Sequence, residues 1–593
     1  MKSSPFEVWA PKAQKVELVL DDGTYEMTRV ERGSWRVEHP GPPGTRYRYL
    51  VDGQGPFPDP RSQWQPEGVH GPSAIVDHER HVWNDSAFVP KPLSRAVLYE
   101  LHIGTFTPEG TYASAERALP HLCELGVTHL ELMPIHAFPG VHGWGYDGVA
   151  LYAPHAPYGT PDELKHFVEA CHAHGLAVLL DVVYNHLGPD GAYAGAFAPY
   201  FTSRFRTPWG DAVNFDFQQS DGVRAFVVNN ALMWLRDYHF DGLRLDACHE
   251  LYDHGAVHIL EELAVEVCHL SARTGRDYVV TAESDLNAPR MVLPRDRGGY
   301  GLDAHWADDF HHALHAFFTG ERDGIHMDFG SLAYVAKALR QGYVYDGQPS
   351  AYRKKKHGRP PSGVAPSQLV VFAQNHDQTG NRAVGERLGH LLERNVSKAI
   401  AALVLLSPFV PMLFQGEEWG ASTPFLYFTD HHEEMGRLVT EGRRKDFETF
   451  GWATGEIPDP QLPDTFQRSK LLWEERTEPA HHEVLAWHQA LLRLRASLDS
   501  DASTEVAFDE ADRWLTLRRG RHLAVFNFAN RPQSVSLPEG NWSLQLSSHG
   551  DLPPGPFPAH ATLIFAAANV PMLLRHGMNA EKADPAAEVP PQQ

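Results

Sequence analysis

The chain has 593 residues, too many for one compact unit, so three or four units are expected. Hydrophobic residues at 42% and charged residues at 21% make an ordinary globular composition, ample for large cores. With 52 basic against 75 acidic residues the formal charge is −23, which leaves no electrostatic footprint for nucleic acid or an anionic membrane.

The opening MKSSPFEVWA has no charged head followed by an apolar run, so no secretion signal is expected. Short strands then follow in FEVWA, KVELVL, YEMTRV, SWRVEH and YRYLVD, separated by Asp-Gly, Gly and Pro. They predict a small N-terminal β-sandwich over residues 1–90. From Ala96 to about Leu498 strands and helices alternate, the pattern of a parallel α/β architecture. Eight strand candidates occur in order: AVLYELHIGTF, THLELMPI, LAVLLDVVYNH, GLRLDA, DYVVTAES, AHWADDF, QLVVFAQNH and VPMLFQGEEW. PDELKHFVEACHAHG and VRAFVVNNALMWLRDYH are among the helices between them, and HHEVLAWHQALLRLRASL closes the unit. The fold class predicted is a (β/α)8 TIM-type barrel over residues 91–498, with a short insertion at about 187–220. The apolar run Ala399–Phe414, broken by Ser407, Pro408 and Pro411, reads as a helix followed by a strand, not a membrane span. STEVAFDE, WLTLRRG, HLAVFNFA, SVSLPE, SLQLS and ATLIFAA predict a C-terminal antiparallel β domain over residues 499–576. Residues 577–593, rich in Ala, Glu and Pro, are expected to be disordered.

Barrels of this type carry their active sites at the C-terminal ends of the strands, so the polar residues that end each strand are the ones to examine. The third candidate strand ends Asp181-Val-Val-Tyr-Asn185-His186, the fourth carries Arg244 and Asp246, the fifth ends in Glu283 and the seventh ends Asn375-His376-Asp377. Alternation sends Arg244 and Asp246 to the same side, where the guanidinium keeps the carboxylate ionised, as a nucleophile requires. Glu283 follows the buried run Tyr278–Ala282 with no arginine two residues before it, which makes it the better proton donor. Two acids without thiol or metal fit glycoside hydrolysis. His186 and His376, beside the acids, are candidates to bond substrate hydroxyls, and Trp144 and Tyr146, followed by Trp209, Trp306 and Phe425, to stack on sugar rings.

No metal and no cofactor is expected. Cys123, Cys171, Cys248 and Cys268 form no CxxC pair, which fits a cytoplasmic chain. His311 and His315 share a helix face and His431-His432 precede two glutamates, but neither makes an HExxH pattern, so both read as structural or solvated. The basic run Arg353–Lys356 reads as a solvated loop, or a lid over the substrate.

DVVYNH, GLRLDACH, TAESD and QNHDQ, in that order and on those strands, resemble the four sequence regions of the α-amylase family, glycoside hydrolase family 13. The resemblance implies a retaining hydrolase with Asp246 as nucleophile, Glu283 as acid/base, Asp377 gripping sugar hydroxyls and Tyr146 stacking under the attacked glucose. It extends over nearly the whole chain. WGYDGVALYAPHAPYG, WADDFHH, KKKHGRPPSG, QNHDQTGNR and GEEWGASTPFLYFTDH are similar to the maltooligosyltrehalose trehalohydrolase branch of that family, which hydrolyses the α-1,4 bond next to a terminal trehalose. By the same resemblance Arg244 and His249, Asp308, Asp309, His311 and His312, and Gln378 and Arg382 would line the substrate subsites, with His186 and His376. The implied partner is a maltooligosyltrehalose or other α-glucan oligosaccharide, supplied by a maltooligosyltrehalose-forming enzyme. The alternatives are an α-glucan branching or debranching enzyme and a non-catalytic glucan-binding protein, the last opposed by the presence of both acids.

Overall fold

The computed structural model describes residues 6–448, 457–499, 502–550 and 555–567; the tail expected at 577–593 lies outside them. Its centre is a closed barrel of eight parallel strands. They are β1 (Leu98–Leu101), β2 (His129–Leu132), β3 (Ala177–Val182), β4 (Gly242–Leu245), β5 (Val279–Ala282), β6 (Ala304–Trp306), β7 (Leu369–Phe372) and β8 (Val410–Phe414), each inside the segment read from sequence. The strands follow chain order around the barrel, and β8 pairs with β1 to close it. Buried on both faces, they are mainly apolar, as parallel strands under a helical layer are, with Glu100, Glu131, Asp181, Arg244 and His305 among the buried exceptions. Gly242 opens β4 because a Cβ there would come within 2.3 Å of the Val279 carbonyl oxygen.

Alternation sorts the strand residues into two sets. Tyr99, Leu101, Leu130, Leu132, Val178 and Leu180 join the large core beneath the helices, whereas Leu98, Trp306, Val370, Phe372, Val410 and Met412 form a separate cluster inside the barrel. Outside lie α1 (Pro161–Ala173), α2 (Ser220–Asp237), α3 (Asp308–Thr319), α4 (Leu332–Gln341), α5 (Arg394–Leu405) and α6 (Pro479–Ser497), among shorter helices. The start of α1 is sealed by a capping box between Thr160 and Glu163. Between β6 and β7 the chain forms both α3 and α4 and then a hairpin of Asp346–Ser350 with Lys355–Gly358.

Ahead of the barrel two small antiparallel sheets pack together, of three and five strands. Buried Met27 divides the segment read as one strand, YEMTRV, into Gly23–Glu26 in one sheet and Thr28–Arg29 in the other. These sheets lean on the insertion after β3: Trp9 meets Tyr200 edge-on at 5.6 Å, Tyr49 meets Phe197 at 6.3 Å, and His70 bonds the Tyr193 hydroxyl at 2.7 Å. After α6 comes a five-stranded antiparallel sheet. One expected strand is corrected here. SVSLPE, flanked by Pro532 and closed by Pro538, adopts no strand, and only an isolated bridge between Gln533 and Phe557 stands beside it. No helix among the described residues is long and apolar enough to cross a membrane.

Candidate active site

Register brings the polar strand ends together. Asp181 on β3 pairs with Arg244 on β4, and Arg244 pairs with Thr281 on β5, so the three elements deliver their last residues at one height. Arg244 is wholly buried, and the face of its guanidinium lies 4.1 Å from the centre of the Trp306 ring. Its Nη1 donates to Asp181 at 2.8 and 2.9 Å and to Asp246 Oδ1 at 2.9 Å. Its Nη2 lies 3.0 Å from Glu283 Oε2 as an ion pair, without the alignment of a hydrogen bond. One guanidinium therefore bridges three acids from three strands. No arginine stands two residues before Glu283, but the inference drawn from that is corrected, because Arg244 reaches it from the neighbouring strand.

The two acids nevertheless differ. Burial pushes both upward, but Asp246 also has Arg244 and a 2.7 Å hydrogen bond from Asn185 Nδ2, and its carboxyl is held below the ordinary value. Glu283 is raised well above the ordinary value, first by burial and then by the charges of Asp246, Asp377 and Asp308, against the pull of Arg244. Its Oε2 accepts the backbone N–H of Ala247 at 2.7 Å. Ala247 adopts φ 37°, in the left-handed region rare for a residue with a Cβ, and this turn carries the chain from Asp246 to the Glu283 side. Asp181 is raised to about 7, burial outweighing Arg244, and accepts the Tyr146 hydroxyl at 2.6 Å. Tyr146 follows Gly145, where a Cβ would lie 2.1 Å from the Pro134 carbonyl oxygen and φ is 100°.

Asp377 stands in the first turn after Asn375, whose side chain caps that turn by accepting from the Gln378 N–H at 2.7 Å. Its carboxylate is partly open to solvent. His376 is buried: its N–H donates to Glu100 Oε2 at 2.8 Å and its Nδ1 lies 2.5 Å from Glu100 Oε1. Burial disfavours its charge, but Glu100 and Asp377 dominate and raise it to about 9, so the ring is an imidazolium at neutral pH. The Tyr146 ring stacks on it at 5.0 Å. Glu100 is absent from the residues expected at strand ends, although an acid inside an apolar barrel strand is a readable signal. Its register partner Glu131 is another, buried and raised well above its ordinary value by burial and by Glu100.

The remaining expected residues divide. Asp308, at the start of α3, is raised to about 7 by burial and by Asp285, Asp377 and Asp309, which couples it to the acid cluster. Gln378 and His249 lie half-buried beside Asp377 and Asp246 in the chain. Asp309 is buried, and its Oδ2 accepts from Asn287 Nδ2 and from the N–H groups of Val344 and Tyr345, each at 2.7 Å, so it organises the loop into the hairpin. Arg382 is committed to Glu321 at 3.0 Å through both terminal nitrogens. His186 bonds Asn185 and the Tyr146 carbonyl and stacks on half-exposed Trp209 at 4.3 Å. His311 and His312 are buried, and His311 Nδ1 lies 2.6 Å from the Ala373 carbonyl. Three expected stacking residues are corrected: Trp144, Trp306 and Phe425 are buried, Trp144 and Phe425 in a cluster with Met133, Phe414 and Phe428. Arg353, from the basic run, pairs with Asp285 at 2.9 Å and ties the hairpin two residues beyond Glu283.

Comparison with known proteins agrees with this geometry. The alpha amylase catalytic domain matches at residues 102–199, carbohydrate-binding module 48 (the isoamylase N-terminal domain) at 2–65, and a domain of unknown function at 499–564. The malto-oligosyltrehalose trehalohydrolase of Arthrobacter ramosus is 50% identical over 542 residues, covering 90% of this chain and 94% of that protein. Its counterpart from Saccharolobus solfataricus is 42% identical over 551 residues, covering 92% and 94%. A crystal structure from Salmonella typhimurium, assigned to the alpha amylases, superposes with a TM-score of 0.86 at 37% identity over 95% of this chain and 97% of that one. The chain belongs to the malto-oligosyltrehalose trehalohydrolase family of α-amylase-type glycoside hydrolases.

Proposed function

We propose that the enzyme hydrolyses the α-1,4 bond joining a maltooligosaccharide to its terminal trehalose, with retention, through Asp246 and Glu283. The carboxylate of Asp246 attacks the anomeric carbon while Glu283 gives its proton to the glycosidic oxygen, and trehalose leaves. Glu283, now ionised, takes a proton from water, which displaces Asp246 and frees the maltooligosaccharide. The observation that carries this reading is the pair of opposed environments around one guanidinium: Asp246 held ionised by Arg244 and Asn185, Glu283 held protonated by burial and neighbouring acids. Asp377, partly open beside His376, grips hydroxyls of the distorted sugar, and Tyr146 stacks beneath it. Asp308 and Gln378 are the subsite residues whose positions best suit substrate contact. The units at 1–90, 91–498 and 499–576 act as glucan-binding module, catalytic barrel and supporting β domain.

The substrate comes from an enzyme that forms the terminal trehalose, in the same compartment. A cytoplasmic setting is supported by four free thiols among the described residues. Proton NMR of products from maltotriosyltrehalose and maltopentaose tests the reading. Rapid trehalose release with slow maltopentaose cleavage supports it. Equal cleavage of both, or branched products, sinks the trehalose assignment and leaves the barrel and its acids in place, with branched products pointing to a branching enzyme.

A further inference from the structure

We propose that His311, His315 and His326 form a site for a divalent first-row transition ion, zinc above all, which clips the turn after α3 to the helix. His311 and His315 are one helical turn apart on α3, on a single face. Their HxxxH spacing lacks the glutamate of a hydrolytic zinc motif, and no third ligand is visible in the local sequence. The fold supplies one. After Gly320 ends α3 the chain doubles back through the short helix Gly324–Asp328 and lays His326 on the pair. Its ring stacks on His315 at 4.4 Å and stands 6.1 Å from the His311 ring. One ring nitrogen from each of the three lies within 4.8 Å of the other two.

Two of the three rings are already held through one nitrogen in the manner of metal-bound imidazoles. His311 Nδ1 lies 2.6 Å from the Ala373 carbonyl, which leaves Nε2 as the lone-pair atom. His315 Nε2 lies 2.7 Å from Glu321 Oε2, which leaves Nδ1. A carbonyl and a carboxylate that orient ligating histidines are what a metal site needs around it. His326 Nε2 is buried and has no hydrogen-bond partner among the described residues, an unmet demand that a cation satisfies. Zinc–nitrogen bonds of about 2.1 Å place tetrahedral ligands about 3.4 Å apart, so the rings close in by side-chain rotation. Three neutral imidazoles select zinc and its neighbours over calcium or magnesium, which prefer oxygen. Glu321 also holds Arg382, so the clip reaches the segment that follows Asp377.

The site is tested on the full chain, stripped with a chelator and dialysed against zinc, then gel-filtered and analysed for metal. The expected result is one retained zinc per chain and a thermal midpoint raised by several degrees. Cobalt should give the visible absorption of a tetrahedral nitrogen site. His315→Gln and His326→Gln should each abolish retention and the thermal shift, whereas His254→Gln, on an exposed loop, should change neither. Because His326 lies on a half-exposed turn, its variant keeps the test open if His315→Gln fails to fold. Wild-type protein that retains no zinc overturns the proposal, as does equal retention in the His326→Gln chain.

Discussion

At the scale of single residues, one arginine carries much of the division of labour. Arg244 touches Asp181, Asp246 and Glu283, so it cannot by itself distinguish nucleophile from acid. The difference comes from the surroundings: Asn185 adds a hydrogen bond to Asp246, whereas burial and the charges of Asp246, Asp377 and Asp308 raise Glu283. Asp246→Ala and Glu283→Gln are each expected to lower turnover by roughly 10²–10⁴-fold or more with the circular dichroism unchanged. Near-normal turnover in either, on a native-like spectrum, would remove the assignment. The pH profile follows from the same contacts. With the proposed roles, activity requires Asp246 ionised and Glu283 protonated, so it should fall as acid protonates Asp246 and as base ionises Glu283, whose pKa is raised. Asn185→Ala removes a bond to the charged form of Asp246 and should move the acid limb of kcat/KM to higher pH, leaving the alkaline limb in place. A shift confined to the alkaline limb would show that Asn185 does not tune the nucleophile.

At the scale of elements, β1 and the turn after β7 are joined by Glu100 and His376 across the barrel mouth. The pair is buried and doubly bonded, and removing one partner of such a pair costs about 3–5 kcal/mol. Glu100→Gln should therefore lower urea stability at pH 7 by roughly that amount. The sign of the pH dependence is fixed by His376, raised to about 9 in the fold against about 6.5 in the unfolded chain. Its contribution is complete below about pH 6.5 and is lost as pH rises through 9, and that slope should flatten in the variant. A wild-type stability that stays level from pH 7 to 10 would contradict the clamp.

At the scale of the whole molecule, the N-terminal sheets are docked on the barrel, not tethered beside it. Gly222, in the first turn of α2, sits so close to Trp9 that a Cβ would meet the indole at 2.2 Å. Gly222→Ala must push the two units apart or displace the ring, and overpacking of this kind costs about 1–3 kcal/mol. Calorimetry should show a lowered midpoint with kcat little changed, since no acid is touched. An unchanged midpoint would mean that the contact yields without cost.

Much of this architecture is legible in the amino-acid sequence. The eight barrel strands, α1, α2 and α6 follow from periodicity, turn residues and caps, which are local properties of the chain. Asp246, Glu283 and Asp377 stand out as candidates because barrel strands end at one rim, and the four motifs add their resemblance. What the sequence could not determine was partnership. That Arg244 also reaches Glu283, that Glu100 holds His376, that Asp309 and Arg382 are spent on neighbouring loops, and that Trp144, Trp306 and Phe425 are buried all depend on residues tens to hundreds of positions apart. The same holds for His326, brought onto the face of His311 and His315 by a turn with no motif of its own. SVSLPE shows the converse, a strand-like segment that forms no ladder among the described residues, with Pro532 before it and Pro538 within it. Local periodicity determines which elements form; the closing of the barrel and the docking of its loops decide which atoms meet, because only tertiary packing sets burial, charge neighbours and hydrogen-bond partners.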